Sequence, residues 1–262
     1  MTKIATWNVN SIRARLPNVE AWVREAQPDV LLLQETKTIE ETFPKTTFED
    51  LGYNMAIVGQ KSYNGVAILS KSPIEDIRSE LPGDPLDVEA RYIEVVTGNV
   101  RVASVYVPNG QEVGSQKFEY KLRFLDRLYD HMKTLLTYDE SLVVGGDYNI
   151  APTDDDVHDP VGWEGKILCS DHERAAFRKI LYLGLTDALK EFHVSSGIPK
   201  DQLYSWWNYK GRRWDQNEGL RIDHLLVSPQ AADRLKDVQV DRLPRGEEKA
   251  SDHTPVWCSL GE

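Results

Sequence analysis

Apolar runs of strand length recur along this chain and alternate with helical patterns, and no other feature narrows the fold as much. The runs are Lys3 to Asn8, Val30 to Gln34, Asn54 to Val58, Val66 to Ser70, Tyr92 to Val96 and Arg101 to Tyr106; a second series follows at Leu142 to Gly146, Ile222 to Ser228, Val238 to Leu243 and Thr254 to Leu260. Helical spacing joins Phe118, Leu122, Leu125, Leu128, Met132 and Leu135. Pro17 suits the first turn of a helix carrying Val19, Trp22, Val23 and Ala26, and Ser170 with Glu173 forms a capping box ahead of Ala176, Phe177 and Ile180. Strands in two series with helices between them predict two sheets packed face to face with helices outside. All candidate linkers are short, so residues 1–262 are expected to form one domain.

The ends of these runs are polar. Asn8 and Asn10 stand in "TWNVNS", Gln34 and Glu35 in "LLLQETK", Tyr106 and Asn109 in "VYVPNG", Asp147 and Asn149 in "GGDYNI", Asp223 in "LRIDHLL", and Asp252 and His253 in "SDHTP". Taken singly, an Asp or Asn leaving a strand is a turn or cap residue. Glu35 alone reads as a surface charge, Asp223 as a partner of Arg221, and His253 as a structural histidine. Turn chemistry gives no reason for acceptor-rich residues at strand after strand. In α/β folds, strand ends of one polarity gather at one mouth, and one pocket would hold the whole set.

The chemistry of such a pocket follows from the residue types. The chain lacks a GxSxG elbow, a CxxC pair and an HExxH motif, so neither an acyl-enzyme nor a structural zinc site has its signature. Carboxylates with amide oxygens are hard ligands and suit Mg²⁺ or Mn²⁺. Magnesium prefers one or two carboxylates plus a phosphate oxygen, which implies a phosphoester substrate. The N-terminus leads straight into a strand pattern, with neither a signal peptide nor a membrane span in view. Cys169 and Cys258 stand far apart, as reduced thiols of a cytosol would.

The motifs "TWNVNSIRA", "LLLQETK", "YVPNG", "GGDYNIAP", "LRIDHLL" and "SDHTPV", in this order, resemble the exonuclease III family of abasic-site endonucleases, within the wider endonuclease/exonuclease/phosphatase superfamily. The segment Asp156 to Leu181 resembles its bacterial nuclease branch. The resemblance implies a four-layer α/β sandwich of two packed mixed β-sheets flanked by helices, with the site at one edge. It implies a Mg²⁺- or Mn²⁺-dependent DNA repair nuclease, which cuts the phosphodiester 5′ to abasic sites in double-stranded DNA. Activity as a 3′–5′ exonuclease and on blocked 3′ ends as a phosphatase or phosphodiesterase is implied too, in a monomer of the bacterial cytosol with no membrane partner.

Roles carry across by position. Glu35 resembles the main metal ligand, with Asn10 and Asp252 completing the shell; Asn10 departs from relatives that carry an aspartate there. Asp147 is similar to the residue that orients or deprotonates the attacking water, and Asn149, on the same face, steers it. His253 resembles the phosphate-contacting imidazole, with Asp223 behind it favouring the protonated form. Tyr106 and Asn109 would hydrogen-bond the same phosphate, Asn8 would brace Asp147, and Lys37 would add to the phosphate field. The implied reaction is in-line attack of water on phosphorus with no covalent intermediate.

Substrate selection is expected in "YSWWNYKGRRWDQNEGLRIDHLL". By resemblance, Trp206, Leu220 and Ile222 line a small apolar pocket for a flipped, base-less deoxyribose, whose extrusion costs least where no base is stacked. Trp207, Trp214 and Lys210 share the segment. Thirty-one basic residues against 42 acidic give a net charge of −11, the wrong sign for bulk attraction to DNA. Arg13, Lys37, Lys117, Lys121, Arg212, Arg213 and Arg245 are therefore expected to form a local basic rim. The alternative of the same superfamily is a phosphatase or phosphodiesterase of small molecules or lipids, which the acidic charge favours and the tryptophan-arginine segment opposes. A catalytically silent binding module would need to have lost a key group, and Glu35, Asp147, Asn149, Asp223, Asp252 and His253 are all present.

Overall fold

A computed structural model describes residues 1–262. Apolar central strands, buried on both faces, and more exposed edge strands build two six-stranded sheets. The first runs β11 (Leu235–Val240), β12 (Val256–Leu260), β1 (Thr2–Asn8), β2 (Val30–Gln34), β4 (Val66–Ser70), β3 (Asn54–Val58). The second runs β5 (Glu75–Arg78), β6 (Tyr92–Thr97), β7 (Val100–Tyr106), β8 (Leu142–Asp147), β10 (Asp223–Val227), β9 (Thr186–Asp187). Both are mixed: β1 pairs parallel with β2 and β7 with β8, while the remaining pairings are antiparallel.

Between the sheets lies an apolar layer that includes Ile4, Val30, Leu32 and Ile68 from the first and Val95, Val102, Val143, Leu225 and Val227 from the second. Outside the first sheet, Val19, Trp22 and Val23 of α1 (Leu16–Ala26) and Phe48 of α2 (Lys45–Glu49) cover Ala5, Trp7, Leu31 and Leu33. Outside the second, α3 (Gln116–Leu135) and α5 (Asp171–Leu181) lay Phe124, Leu128, Phe177 and Ile180 on Val105, Val144 and Leu226. Three shorter helices, α4 (Pro160–Trp163), α6 (Ala188–Ser196) and α7 (Pro229–Ala232), fill the connections. The layers are therefore helix, sheet, sheet, helix, as expected from the alternation.

Local signals explain the boundaries. Pro17 sits in the first turn of α1, and the Ser170 hydroxyl and Glu173 carboxylate close the predicted capping box on α5. Gly145 is required by the approach of the sheets: a Cβ there would stand 2.6 Å from Leu32 Cδ1 and 2.7 Å from Leu225 Cδ2. The run expected at Val238 to Leu243 forms its strand at Leu235–Val240 instead. Asp241 receives the Trp22 indole at 2.7 Å, and the exposed Leu243 opens a 3₁₀ turn whose Pro244 and Arg245 are buried.

Candidate active site

Topology collects the polar ends. Because β7 and β8 are parallel and β10 is antiparallel to β8, Tyr106, Asp147 and Asp223 stand side by side in one cross-strand row. In the other sheet the parallel pair β1–β2 brings Asn8 opposite Gln34, next to Glu35, and the antiparallel β12 is entered through Asp252 and His253. Oxygens of Glu35 and Asp147 and a ring nitrogen of His253 lie within 4.8 Å of one another.

Asn8 joins the two sheets at this point. Its buried side-chain amide donates to Glu35 Oε1 at 2.8 Å and to Asp147 Oδ2 at 2.9 Å. Asp147 Oδ1 accepts the Asn149 backbone N–H at 2.8 Å, and Asn149 Nδ2 reaches Asp147 Oδ2 at 3.2 Å and the Val107 carbonyl at 3.1 Å. Asn109 Nδ2 donates to Asn149 Oδ1 at 3.0 Å. Asn10, Glu35 and Asn149 all carry positive φ, at 45°, 49° and 51°, so the site holds backbone in a sparsely populated region.

The electrostatics differ from group to group. Burial raises Asp147 to about 7, with Asp223 and Glu35 adding to the rise while His253 and the Asn8 amide oppose it. Burial opposes charge on His253, yet Asp223, and after it Asp147, raise the imidazole to about 10. His253 Nδ1 donates to Asp223 Oδ2 at 2.9 Å, and its Nε2 stands 3.7 Å from Asp147 Oδ2. Ser205 Oγ donates to the same Asp223 oxygen at 2.6 Å. A protonated His253 is a donor and not a metal ligand.

Hard oxygens next to this cluster already hold a cation. The Lys37 ammonium lies 2.7 Å from Glu35 Oε2 and 2.5 Å from Asn10 Oδ1, while Asn10 Nδ2 donates to Asp252 Oδ1 at 3.0 Å. An oxygen pair that seats an ammonium, with carboxylates of Asp252 and Asp147 close by, has the donor chemistry a hard divalent ion requires. Lys37 thus stands among the expected metal ligands.

Several expectations change. Lys121 does not belong to a rim: it is fully buried against Glu173. Arg245 is likewise buried, donating to the Trp207 carbonyl and lying over the Tyr209 and Trp214 rings. Arg221 does not pair with Asp223; Asp156 and Asp187 take it, each at 2.7 Å, while Asp223 is taken by His253 and Ser205. Arg13 lines a separate groove with Pro17, Trp22 and Trp257. Arg212 and Arg213 are exposed but paired with Asp215 and Glu218. Lys117 stays exposed in a cleft lined by Tyr106, Asn109 and Arg91. Leu220 and Ile222 are packed with Ala151, Val157, Leu168 and Cys169 and present almost no surface. Half-buried Trp206 packs on that cluster, its indole donating to Asp252 Oδ2 at 3.0 Å. Trp207 is core, edge-on to Trp214.

Three residues escaped the sequence reading. Arg15 fixes Asn10 by donating to its carbonyl at 2.8 Å and reaches the Tyr209 hydroxyl at 3.1 Å, and Ser205 anchors Asp223. None lies in a periodic pattern or at a strand end, so only their proximity in space reveals them.

Comparison with known proteins places this geometry. Residues 5–253 match the model of the Endonuclease/Exonuclease/phosphatase family. Exodeoxyribonuclease III of Haemophilus influenzae is 34% identical, over 98% of this chain and 99% of the relative. A solved 3′ phosphatase from Neisseria, bound to a product DNA hairpin, superposes with a TM-score of 0.96 at 42% identity over 100% of both chains. An AP endonuclease from Archaeoglobus fulgidus gives 0.93 at 37% identity over 99% of both.

Proposed function

The chain belongs to the endonuclease/exonuclease/phosphatase family as a DNA repair nuclease of the exodeoxyribonuclease III type, and from that premise we propose how it acts. It hydrolyses the phosphodiester 5′ to abasic sites in double-stranded DNA and trims blocked 3′ ends. Asp147, ionised, takes the proton of a water steered by Asn149 and braced by Asn8. That water attacks phosphorus in line with the leaving 3′ oxygen, the P–O bond breaks, and no covalent enzyme intermediate forms. His253, kept protonated by Asp223, donates to a non-bridging oxygen, and Tyr106 and Asn109 hold the same phosphate. Glu35, with Asn10 and Asp252 beside it, would hold a Mg²⁺ or Mn²⁺ ion, which would supply charge neutralisation for the reacting phosphate.

The reading rests above all on one juxtaposition: the Asp147 carboxylate, braced by Asn8, faces the His253 imidazole at 3.7 Å, with Asp223 behind the ring. Trp206, next to Asp252, is the aromatic wall for the base-less sugar, with Leu220 and Ile222 behind it. Residues 1–262 work as one domain, since the site takes groups from both sheets and neither half completes it, and a monomer is the state we propose. The place of action is the bacterial cytosol, where the DNA is.

One assay tests this. A duplex with a single abasic analogue, an undamaged duplex and a small phosphomonoester are each offered with Mg²⁺ or with chelator. Metal-dependent nicking 5′ to the lesion is expected; hydrolysis of the phosphomonoester alone would sink the reading.

A further inference from the structure

Lys121 and Glu173 have no part in the mechanism above, yet they are fully buried behind it. The Lys121 ammonium on α3 donates to the Asn149 carbonyl at 2.7 Å, to the Asn109 carbonyl at 3.1 Å and to Glu173 Oε1. Glu173, on α5, returns the contact to a third segment: Oε1 accepts the Leu168 N–H at 3.0 Å, and Oε2 accepts the Ser170 N–H at 3.0 Å and its hydroxyl at 2.5 Å. Asn149 and Leu168, with φ of 51° and 73°, are both in the left-handed region, and each is held there by one member of the pair. Their segments also meet directly, through Ala151 N to the Leu168 carbonyl at 2.8 Å. Gly110 is close-packed on the same side chain, since a Cβ there would lie 3.1 Å from Lys121 Cδ.

A buried ion pair adds little stability over well-packed apolar side chains of like volume. Folding alone does not account for this one. What an apolar replacement cannot supply is alignment of two carbonyls, of Asn109 and Asn149, and two amides, of Leu168 and Ser170. We propose that Lys121 is a positioning residue: its ammonium, neutralised by Glu173, sets the Asn109 and Asn149 side-chain amides at the scissile phosphate and fixes the Leu168 loop beside them. The proposal rests on the reading of Asn109 and Asn149 given above. It concerns their placement, not their chemistry.

The test compares Lys121→Met with Lys121→Met/Glu173→Gln, using melting temperature, kcat and KM on nicked or abasic duplex, and amide hydrogen exchange at 149–151 and 167–169. The single variant leaves a buried carboxylate unpaired and is expected to melt well below wild type. The double variant has no charge at this buried pair but its amide accepts only one of the Leu168 and Ser170 N–H groups, and it is expected to recover part of the lost melting temperature. Its kcat is expected to stay about 10²-fold down, as a displacement near 1 Å produces, with KM changed less than about threefold and exchange at both segments accelerated. Recovery of both melting temperature and kcat overturns the proposal. So does a double variant as unstable as the single one, which makes the ammonium a folding requirement instead. If wild type cleaves none of the substrates, the functional reading fails, and hydrogen exchange still decides whether Lys121 holds the loops.

Discussion

The Nδ1–H of His253 donates to Asp223 Oδ2 at 2.9 Å, which leaves Nε2 as the only ring atom directed at the site. Asp223 therefore sets both the orientation and the charge of the imidazole. Replacing it by Asn keeps a partner but removes the charge. Asp223→Asn is expected to lower kcat by about 10- to 100-fold and to move the alkaline limb of the pH–rate profile to lower pH. An alkaline limb that stays in place would count against the assignment.

The pH dependence of the wild type follows from the same groups. Activity is expected to rise through neutral pH as Asp147, raised to about 7, ionises, and to fall near 10 as His253 loses its proton. Stability follows the linkage of each group. The His253 contribution is whole below its ordinary 6.5 and disappears as pH rises through about 10. Asp147, also raised, acts in the same sense over a lower window, so the fold loses stability as pH climbs from 3.8 to about 7. A bound divalent ion favours the ionised Asp147 and should shift the acid limb downward. Rate profiles and NMR titration of His253, with and without Mg²⁺, check all of this; an imidazole titrating near 6.5 would contradict it.

Asp147→Asn is expected to cost about 10² to 10⁴ in kcat, the range for a general base. Affinity for a 3′-phosphorylated duplex should hold or tighten, because a buried negative charge near the phosphate is gone. Fluorescence anisotropy beside single-turnover rates makes the comparison, and a parallel loss of binding and rate would argue for a purely structural carboxylate.

Lys37 and Glu35 should move metal affinity in opposite directions. Glu35→Gln removes the main charged oxygen and should weaken Mn²⁺ binding by about 10- to 100-fold. Lys37→Met frees Glu35 Oε2 and Asn10 Oδ1 from the ammonium and should strengthen it. Calorimetry without DNA reads both; equal affinities in wild type and Lys37→Met would place the ion elsewhere.

The basic rim is thinner than its sequence suggests, since Lys121 and Arg245 are buried and Arg212 and Arg213 are ion-paired. DNA affinity is expected to fall with salt at a log–log slope of about −3, against about −10 for a strongly cationic repressor. A titration from 50 to 200 mM salt, on the order used for such slopes, settles it.

The strand ends were legible because a period-two pattern states which side chains share a face, and topology then brings like ends together. Asn8, Glu35, Asp147 and His253 were found that way. Edge strands β5, exposed along its length, and β9, of two residues, carry no apolar signal and went unseen. Lysine and arginine identities say nothing of burial when the partner is distant in sequence. Glu173 lies 52 residues from Lys121, and Asp156 lies 65 from Arg221. Arg15 and Ser205 act through single contacts that no periodicity announces.

Asn8 touches Glu35 on its own sheet and Asp147 on the other, so the span between the metal-side oxygen and the water-side oxygen equals, in effect, the thickness of the layer between the sheets. Leu32 and Leu225, which no substrate meets, then behave as shims, and Gly145 is the notch that lets them seat. A methyl group added there would wedge the halves apart and register as slower turnover long before it registered as unfolding.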